Sequence, residues 1–173
     1  MSSDLNKAKK YMVEMFMDRG YEEGDIEIND DNIIGQNEEL GNIIGVFVSE
    51  NKLSVNTLRD IIAACEGAGM KRLVLVYNDS ITASANNTLK SITSVMVEVF
   101  CITELMYNPT THRLSSKHER VSEEETREIK TKYGKDLPIL LRSDKMARWY
   151  NFKSGEIIKV TRPSQHVIYR IVR

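Results

Sequence analysis

Residues 71–91 read KRLVLVYNDSITASANNTLKS, and the folding of this stretch decides the architecture around it. Its centre, Leu73–Tyr77 (LVLVY), is an unbroken apolar run. Such a run is too short for a buried helix and reads as a strand covered on both faces, as in the middle of an α/β sheet. A helix over residues 82–92 follows, then a strand over Val95–Ile102. Upstream, Ile43–Val48 (IIGVFV) is a second buried run. Between the two runs, Ser54 caps a helix that turns Val55, Leu58, Ile61, Ile62 and Cys65 inward, closed by Gly67 and Gly69. Further out, Asp4 is read as the cap of a first helix. Its Leu5, Ala8, Met12, Met15 and Phe16 recur at i+3/i+4 spacing to about Arg19, and Gly20 is its stop. The acidic stretch 22–32 holds Ile26 and Ile28 in the alternation of a short edge strand. Helix and strand alternate over residues 1–104, which predicts an α/β layer with a mixed or parallel sheet.

The composition turns over at Glu104–Pro109. Positions 1–104 hold 9 Lys and Arg against 17 Asp and Glu, a net −8, whereas positions 105–173 hold 15 against 8, a net +7. The chain of 173 residues is therefore two electrostatic objects behind a total of −1. In the basic part, Ser122 and Glu125 form the S-x-x-E pattern of a capping box, opening a helix through Tyr133 that Gly134 stops. Leu137-Pro138-Ile139 is extended because the residue before proline avoids the helical region. Ser143-Asp144 caps a second helix carrying Ala147, Trp149 and Tyr150, with Trp149-Tyr150 read as core rather than as a stacking platform. Lys153-Ser154-Gly155 is a turn, and Glu156–Arg162 and Val167–Arg173 are antiparallel strands. Residues 105–173 thus make a small α+β unit.

Several classes drop out. No apolar run approaches the roughly 18–20 residues of a membrane helix. The opening MSSDLNKAKK lacks the apolar centre of a secretory signal, so an intracellular protein is expected. Cys65 and Cys101 form no CxxC and have no histidine at finger-like spacing, which leaves two reduced, half-buried thiols. Neither G-x-x-x-x-G-K-[ST] nor G-x-G-x-x-G occurs, so nothing cradles a nucleotide. His112 and His118 are placed in a polar loop.

One ordered series of residues goes further. Lys117-His118, Val121-Ser122-Glu123, Leu137-Pro138, Asp144-x-x-Ala147, Gly155-Glu156-x-x-Lys159-x-x-Arg162 and Tyr169-Arg170 follow one another over residues 105–173. In this order they resemble the C-terminal domain of the fifth shared subunit of eukaryotic nuclear RNA polymerases and, equally, the small archaeal RNA polymerase subunit that corresponds to that domain. The first half resembles the jaw domain of the eukaryotic form, through MVEMFMDRGY (12–21) and through 71–91, where a Tyr-Asn pair precedes an Ile-Thr-x-x-Ala helix start. Three positions depart from the family pattern: Ser116 and Lys145 stand where it has proline, and the loop Ser164-Gln165-His166 is shorter.

The resemblance implies a restriction-endonuclease-like jaw domain with a central mixed sheet over residues 1–104 and a small α+β assembly domain over 105–173. It implies a non-catalytic subunit of a DNA-directed RNA polymerase, without a cofactor or metal of its own. The Mg²⁺ chemistry would belong to the two largest subunits. The assembly domain would dock on the largest subunit, with Lys117, His118, Arg142, Arg148, Lys153, Lys159 and Arg162 as interface candidates. Those cations are then read as meeting acidic protein rather than phosphates. For His118 a solvated or capping role stands beside the interface role. The jaw would line the downstream duplex, with Lys71, Arg72 and Lys90 as local contact candidates or as ordinary solvated charge. Other polymerase subunits and transcription factors are further partners, and no membrane is. Archaeal homologues lack the jaw, and here it is shortened between the first helix and residues 43–48. The resemblance therefore points to a eukaryote, a divergent protist or a large DNA virus, with the nucleus, or the virion and viral factory, as location.

Two other classes remain. A metal-dependent nuclease needs an acid and an (Asp/Glu)-x-Lys on adjacent strands, to hold Mg²⁺ and orient water. Asp30 or Asp31 with Glu50-Asn51-Lys52 fits superficially, although the strand ending near Ser49 leaves Glu50 and Lys52 in a loop. A free-standing transcription regulator would instead use the basic half on DNA.

Overall fold

In the computed structural model, which describes residues 2–134 and 136–173, the chain divides into two units between Tyr107 and Asn108. Each is described on its own. Positions 105–107 carry no charge, so the units keep the totals of −8 and +7.

The first unit runs α1 (Ser2–Asp18), β1 (Ile26–Ile28), β2 (Asn32–Gly35), β3 (Ile43–Phe47), β4 (Lys52–Leu53), α2 (Val55–Gly67), β5 (Arg72–Tyr77), β6 (Ser80–Ile81), α3 (Ala83–Ser91) and β7 (Met96–Cys101). Five strands form a mixed sheet in the order β1-β2-β3-β5-β7. The first three are an antiparallel meander, and β3, β5 and β7 run parallel. Parallel neighbours need long crossovers, which α2 and α3 supply. Ile44, Val46, Leu73, Leu75 and Val97 turn toward α2 and α3, where Leu58, Ile62, Cys65 and Ala85 complete a core. The opposite face meets α1. A side chain on Gly45 of β3 would run into the Met12 sulfur, with Phe16 close behind, so glycine is what lets the helix lie against the strand. β4 and β6 form a separate two-stranded parallel sheet.

The Asp-Arg-Gly-Tyr ending of α1 has a physical reading. Gly20 takes φ +100°, a left-handed conformation that turns the chain out of the helix. Arg19 reaches the central part of β7 and donates to both carboxylate oxygens of Glu98, at 2.9 and 2.8 Å. Their side chains are only 4% and 15% exposed. Tyr21 is buried against Phe16 and its hydroxyl donates to the Gly41 carbonyl at 2.7 Å.

Within this unit the structure departs from the sequence expectations at these points. α1 is already helical at Ser2, so Asp4 lies in its first turn, where its charge suits the dipole, instead of capping it. The strand β2 is an addition: Asn-Ile-Ile-Gly is too short and too polar-flanked to signal itself, and forms by pairing with β3. Lys52 lies on β4 rather than in a loop.

The second unit runs β8 (Lys117–Arg120), α4 (Glu123–Tyr133), β9 (Ile139–Leu140), α5 (Lys145–Trp149), β10 (Ile157–Thr161) and β11 (Val167–Val172). The sheet order is β8-β10-β11-β9, antiparallel except for the β11–β9 pair. One face packs on α5 through Ala147, Phe152, Ile158, Val160 and Val172. The other packs on α4 through Ile129, Ile157 and Ile171. Trp149 is buried, as its core reading requires. The S-x-x-E pattern is half realised. Ser122 accepts from the Glu125 amide at 3.1 Å. The Glu125 carboxylate, however, accepts from the Tyr169 hydroxyl of β11 at 2.9 Å, tying α4 to the sheet. Asp144 keeps its capping role by accepting from the Met146 amide, with Lys145 at the first helical position.

Arg19→Met leaves the Glu98 carboxylate enclosed without its partner and is expected to destabilise the first unit by ~3–5 kcal/mol. Replacing both residues by Met should cost less than either single change. Native-state hydrogen exchange at the β5 and β7 amides reads both outcomes.

Candidate functional site

The placement of the cationic side chains separates those built into the fold from those left for a partner. β8 pairs with β10 so that His118 lies opposite Val160 and Glu119 opposite Lys159. Residues directly opposite on paired strands share a face. His118 therefore stands on the α5 side of the sheet, and Lys117, Glu119 and Lys159 on the α4 side. His118 is thus on a strand, not in a polar loop, and is half-buried. Its polar local sequence conceals a strand that only long-range pairing reveals. His112 does lie in a loop, accepting from the Leu114 amide at 3.2 Å.

The seven interface candidates are not equivalent. Lys117 is held by Glu119 at 2.7 Å, and Lys153 donates to the Asn151 side chain at 2.7 Å. Arg148 sits half-buried on α5 and is engaged in the fold. Arg142, after β9, and Arg162, after β10, are exposed. Arg162 begins the tight turn Ser164-Gln165-His166, in which Gln165 takes φ +63° and donates its amide to the Arg162 carbonyl.

Of the three candidates in the first unit, Lys71 and Lys90 are exposed, and Arg72 is half-buried. Arg72 donates to the Tyr21 hydroxyl and to the Leu40 carbonyl, both at 3.1 Å. Its guanidinium is thus a brace between β5 and the segment after α1. Lys71 accepts the Met96 amide on its carbonyl at 2.8 Å, and Lys90 ends the helix that leads into Met96. Lys71 thus lies at the end of the sheet where β5 and β7 begin, and Lys90 lies in the last turn of α3, the helix that precedes β7.

The nuclease arrangement is not formed by its candidate residues. β3 offers only Ile43, Ile44, Gly45, Val46 and Phe47, with no carboxylate or lysine to present. Glu50 follows the strand and accepts from the Thr57 hydroxyl at 3.0 Å. Lys52 pairs in the separate β4–β6 sheet, and Asp31 precedes β2. Among the described residues no group of three or more His, Cys, Asp or Glu could hold a metal ion.

The Tyr77-Asn78 pair has a task that its sequence does not declare. The Asn78 amide nitrogen donates toward three carbonyls, Val48 at 3.0 Å, Ser49 at 3.3 Å and Glu50 at 3.2 Å, and so pins the chain between β3 and β4. Thr82 caps α3 by accepting from the Ala85 amide, which explains the Thr-x-x-Ala start. Cys65 is buried and burial pushes its thiol pKa up, whereas Cys101 is half-buried. Both are free thiols.

Comparison with known proteins gives this geometry its class. Residues 107–172 match the family described as the RNA polymerase Rpb5 C-terminal domain. The DNA-directed RNA polymerases I, II, and III subunit RPABC1 of Caenorhabditis briggsae is 26% identical, over 98% of this chain and 84% of its own length. The RNA polymerases IV and V subunit 5B of Arabidopsis thaliana is 29% identical, over 95% of this chain and 88% of its own. The RNA polymerase V subunit 5A of the same plant is 27% identical over 95% of this chain. Residues 107–172 thus match the C-terminal domain of that family, and the chain is similar along nearly its whole length to fifth subunits of eukaryotic RNA polymerases.

Desolvation lowers the His118 pKa; the Arg170 charge acts in the same direction, while the Ser116 carbonyl at 2.8 Å and Asp144 oppose it. Below its ordinary value of about 6.5 the unfolded chain therefore binds a proton that the folded chain resists, and stability falls with pH. His118→Gln should flatten the decline in thermal midpoint between about pH 7 and pH 5. Trp149, the single tryptophan, reports that transition in the second unit by fluorescence. Equal pH slopes for both proteins would contradict it.

Proposed function

We propose that the chain serves transcription from DNA as a structural subunit, its second unit docking on the largest polymerase subunit and its first unit lining the downstream duplex. The observation that carries this reading is the similarity to polymerase fifth subunits along nearly the whole chain, both halves included. Within the second unit, Arg142, Lys159 and Arg162 have no side-chain partner among the described residues and suit an acidic protein surface, where charge sets register and encounter rate. Within the first unit, Lys71 and Lys90 supply the phosphate contacts, and Arg72 acts by bracing β5, the strand that Lys71 precedes. So few cations in a unit of net −8 would hold DNA weakly, which suits a duplex that must slide past. The chain needs no cofactor, the Mg²⁺ chemistry lying in the largest subunits. Transcription factors would meet its remaining surface, and the nucleus is its place of work.

Co-purification tests the assembly. Tagged chain from its native source should bring down the large polymerase subunits; their absence would sink the proposal. Arg142→Glu with Arg162→Glu should reduce that recovery about tenfold or more. Lys71→Glu with Lys90→Glu should leave subunit recovery unchanged and weaken retention of downstream duplex with a shallower salt dependence, since two phosphate contacts are lost.

A further inference from the structure

The first unit contains a cavity of about 440 Å³ that the polymerase reading leaves without a role. Its volume lies within the roughly 300–1,000 Å³ of clefts that hold ligands. It opens beyond the carboxyl ends of the parallel strands β3 and β5, where α/β sheets commonly leave a crevice. Phe47 and Val48 from the end of β3, with Leu5 and Ile102, make an apolar floor. Asp4, Asp31 and Asp79 bring three carboxylates to the same space from α1, the β1–β2 turn and the β5–β6 turn. These residues are far apart in sequence, so their meeting is a product of the fold and not a solvated acidic run. All three are exposed, none has a side-chain partner among the described residues, and no lysine or arginine lines the cavity. Asn78 keeps this shape in place through its bonds to the backbone of Val48 and Ser49.

An apolar floor beneath carboxylates without side-chain partners is complementary to one kind of group: an aliphatic stem ending in a positive charge. Lysine and arginine have that construction, lying with the stem on apolar surface and the charged head among polar groups. Nucleic acid is disfavoured here by like charge. We propose that this cavity docks a basic–aliphatic segment of a protein partner, a lysine or arginine beside leucine-like neighbours, on a face distinct from the Lys71 and Lys90 positions assigned to DNA. The cavity belongs to the chain alone and does not depend on which polymerase holds it.

The test is a titration of the full chain with the peptide acetyl-Leu-Arg-Leu-Lys-amide, followed by NMR at the side-chain amides of Asn51 and Asn78, which both line the cavity. Saturable shifts that weaken with salt are expected. The variant Asp4→Asn/Asp31→Asn/Asp79→Asn should bind about tenfold more weakly, the combined effect of three partly exposed charge contacts. Its amide spectrum away from the cavity should stay unchanged, which separates lost binding from lost folding. Three results would each overturn the proposal: equal binding of acetyl-Leu-Gln-Leu-Gln-amide, undiminished binding by the triple variant, or no shift at Asn51 and Asn78 at millimolar peptide. Failure of the chain to recover polymerase subunits would bear on the assembly and not on this cavity.

Discussion

The first unit hangs on the pairing of Arg19 with Glu98. A helix packed on a sheet needs a fixed end, and here the end is a bidentate contact between Arg19, the residue that follows α1, and the far strand β7. Enclosing two charges is unfavourable unless each satisfies the other in good geometry. The two bonds supply that geometry and thereby specify where α1 crosses the sheet. The neighbouring constraints follow. Gly45 must lack a side chain because Met12 is held above it. Tyr21 is turned to reach Gly41, and Arg72 closes against Tyr21 and Leu40.

Legibility in the sequence follows the range of the forces involved. Ile43–Val48, Leu73–Tyr77 and the stripe of α1 declare themselves because burial on one or two faces imposes a period on neighbouring residues. The caps Ser54, Thr82 and Asp144 are readable or nearly so, since each depends on an amide two or three residues away. What stays hidden is long-range. β2 and β8 exist because β3 and β10 pair with them, and nothing in Asn-Ile-Ile-Gly or Lys-His-Glu-Arg demands an extended chain. The second half of the capping box is lost to Tyr169, 44 positions away from Glu125.

The candidate site divides in the same way. Charge and order of motifs point to residue types, but not to which cations the fold has already committed. Arg72 and Lys153 are indistinguishable in sequence from Lys71 and Arg142, yet the first two have intramolecular acceptors. Net charge is thus a property of the unit, and availability a property of each side chain. An acidic unit can still present cations, because Lys71 lies where two parallel strands begin and Lys90 in the helix before β7, while Asp31 and Asp79 flank the cavity at the other end.

Asn78 has a consequence for how such chains drift. It recognises Val48, Ser49 and Glu50 through their carbonyl oxygens, which every amino acid carries. As far as this contact is concerned, the strap between β3 and β4 can therefore keep its path while the side chains of Ser49 and Glu50 change. Substitution there is buffered by one amide, so that relatives with unrelated residues in this strap could trace the same backbone. Patterns such as Glu50-x-Lys52 would come and go in it without chemical meaning, and the informative position lies about 28 residues downstream, at the asparagine.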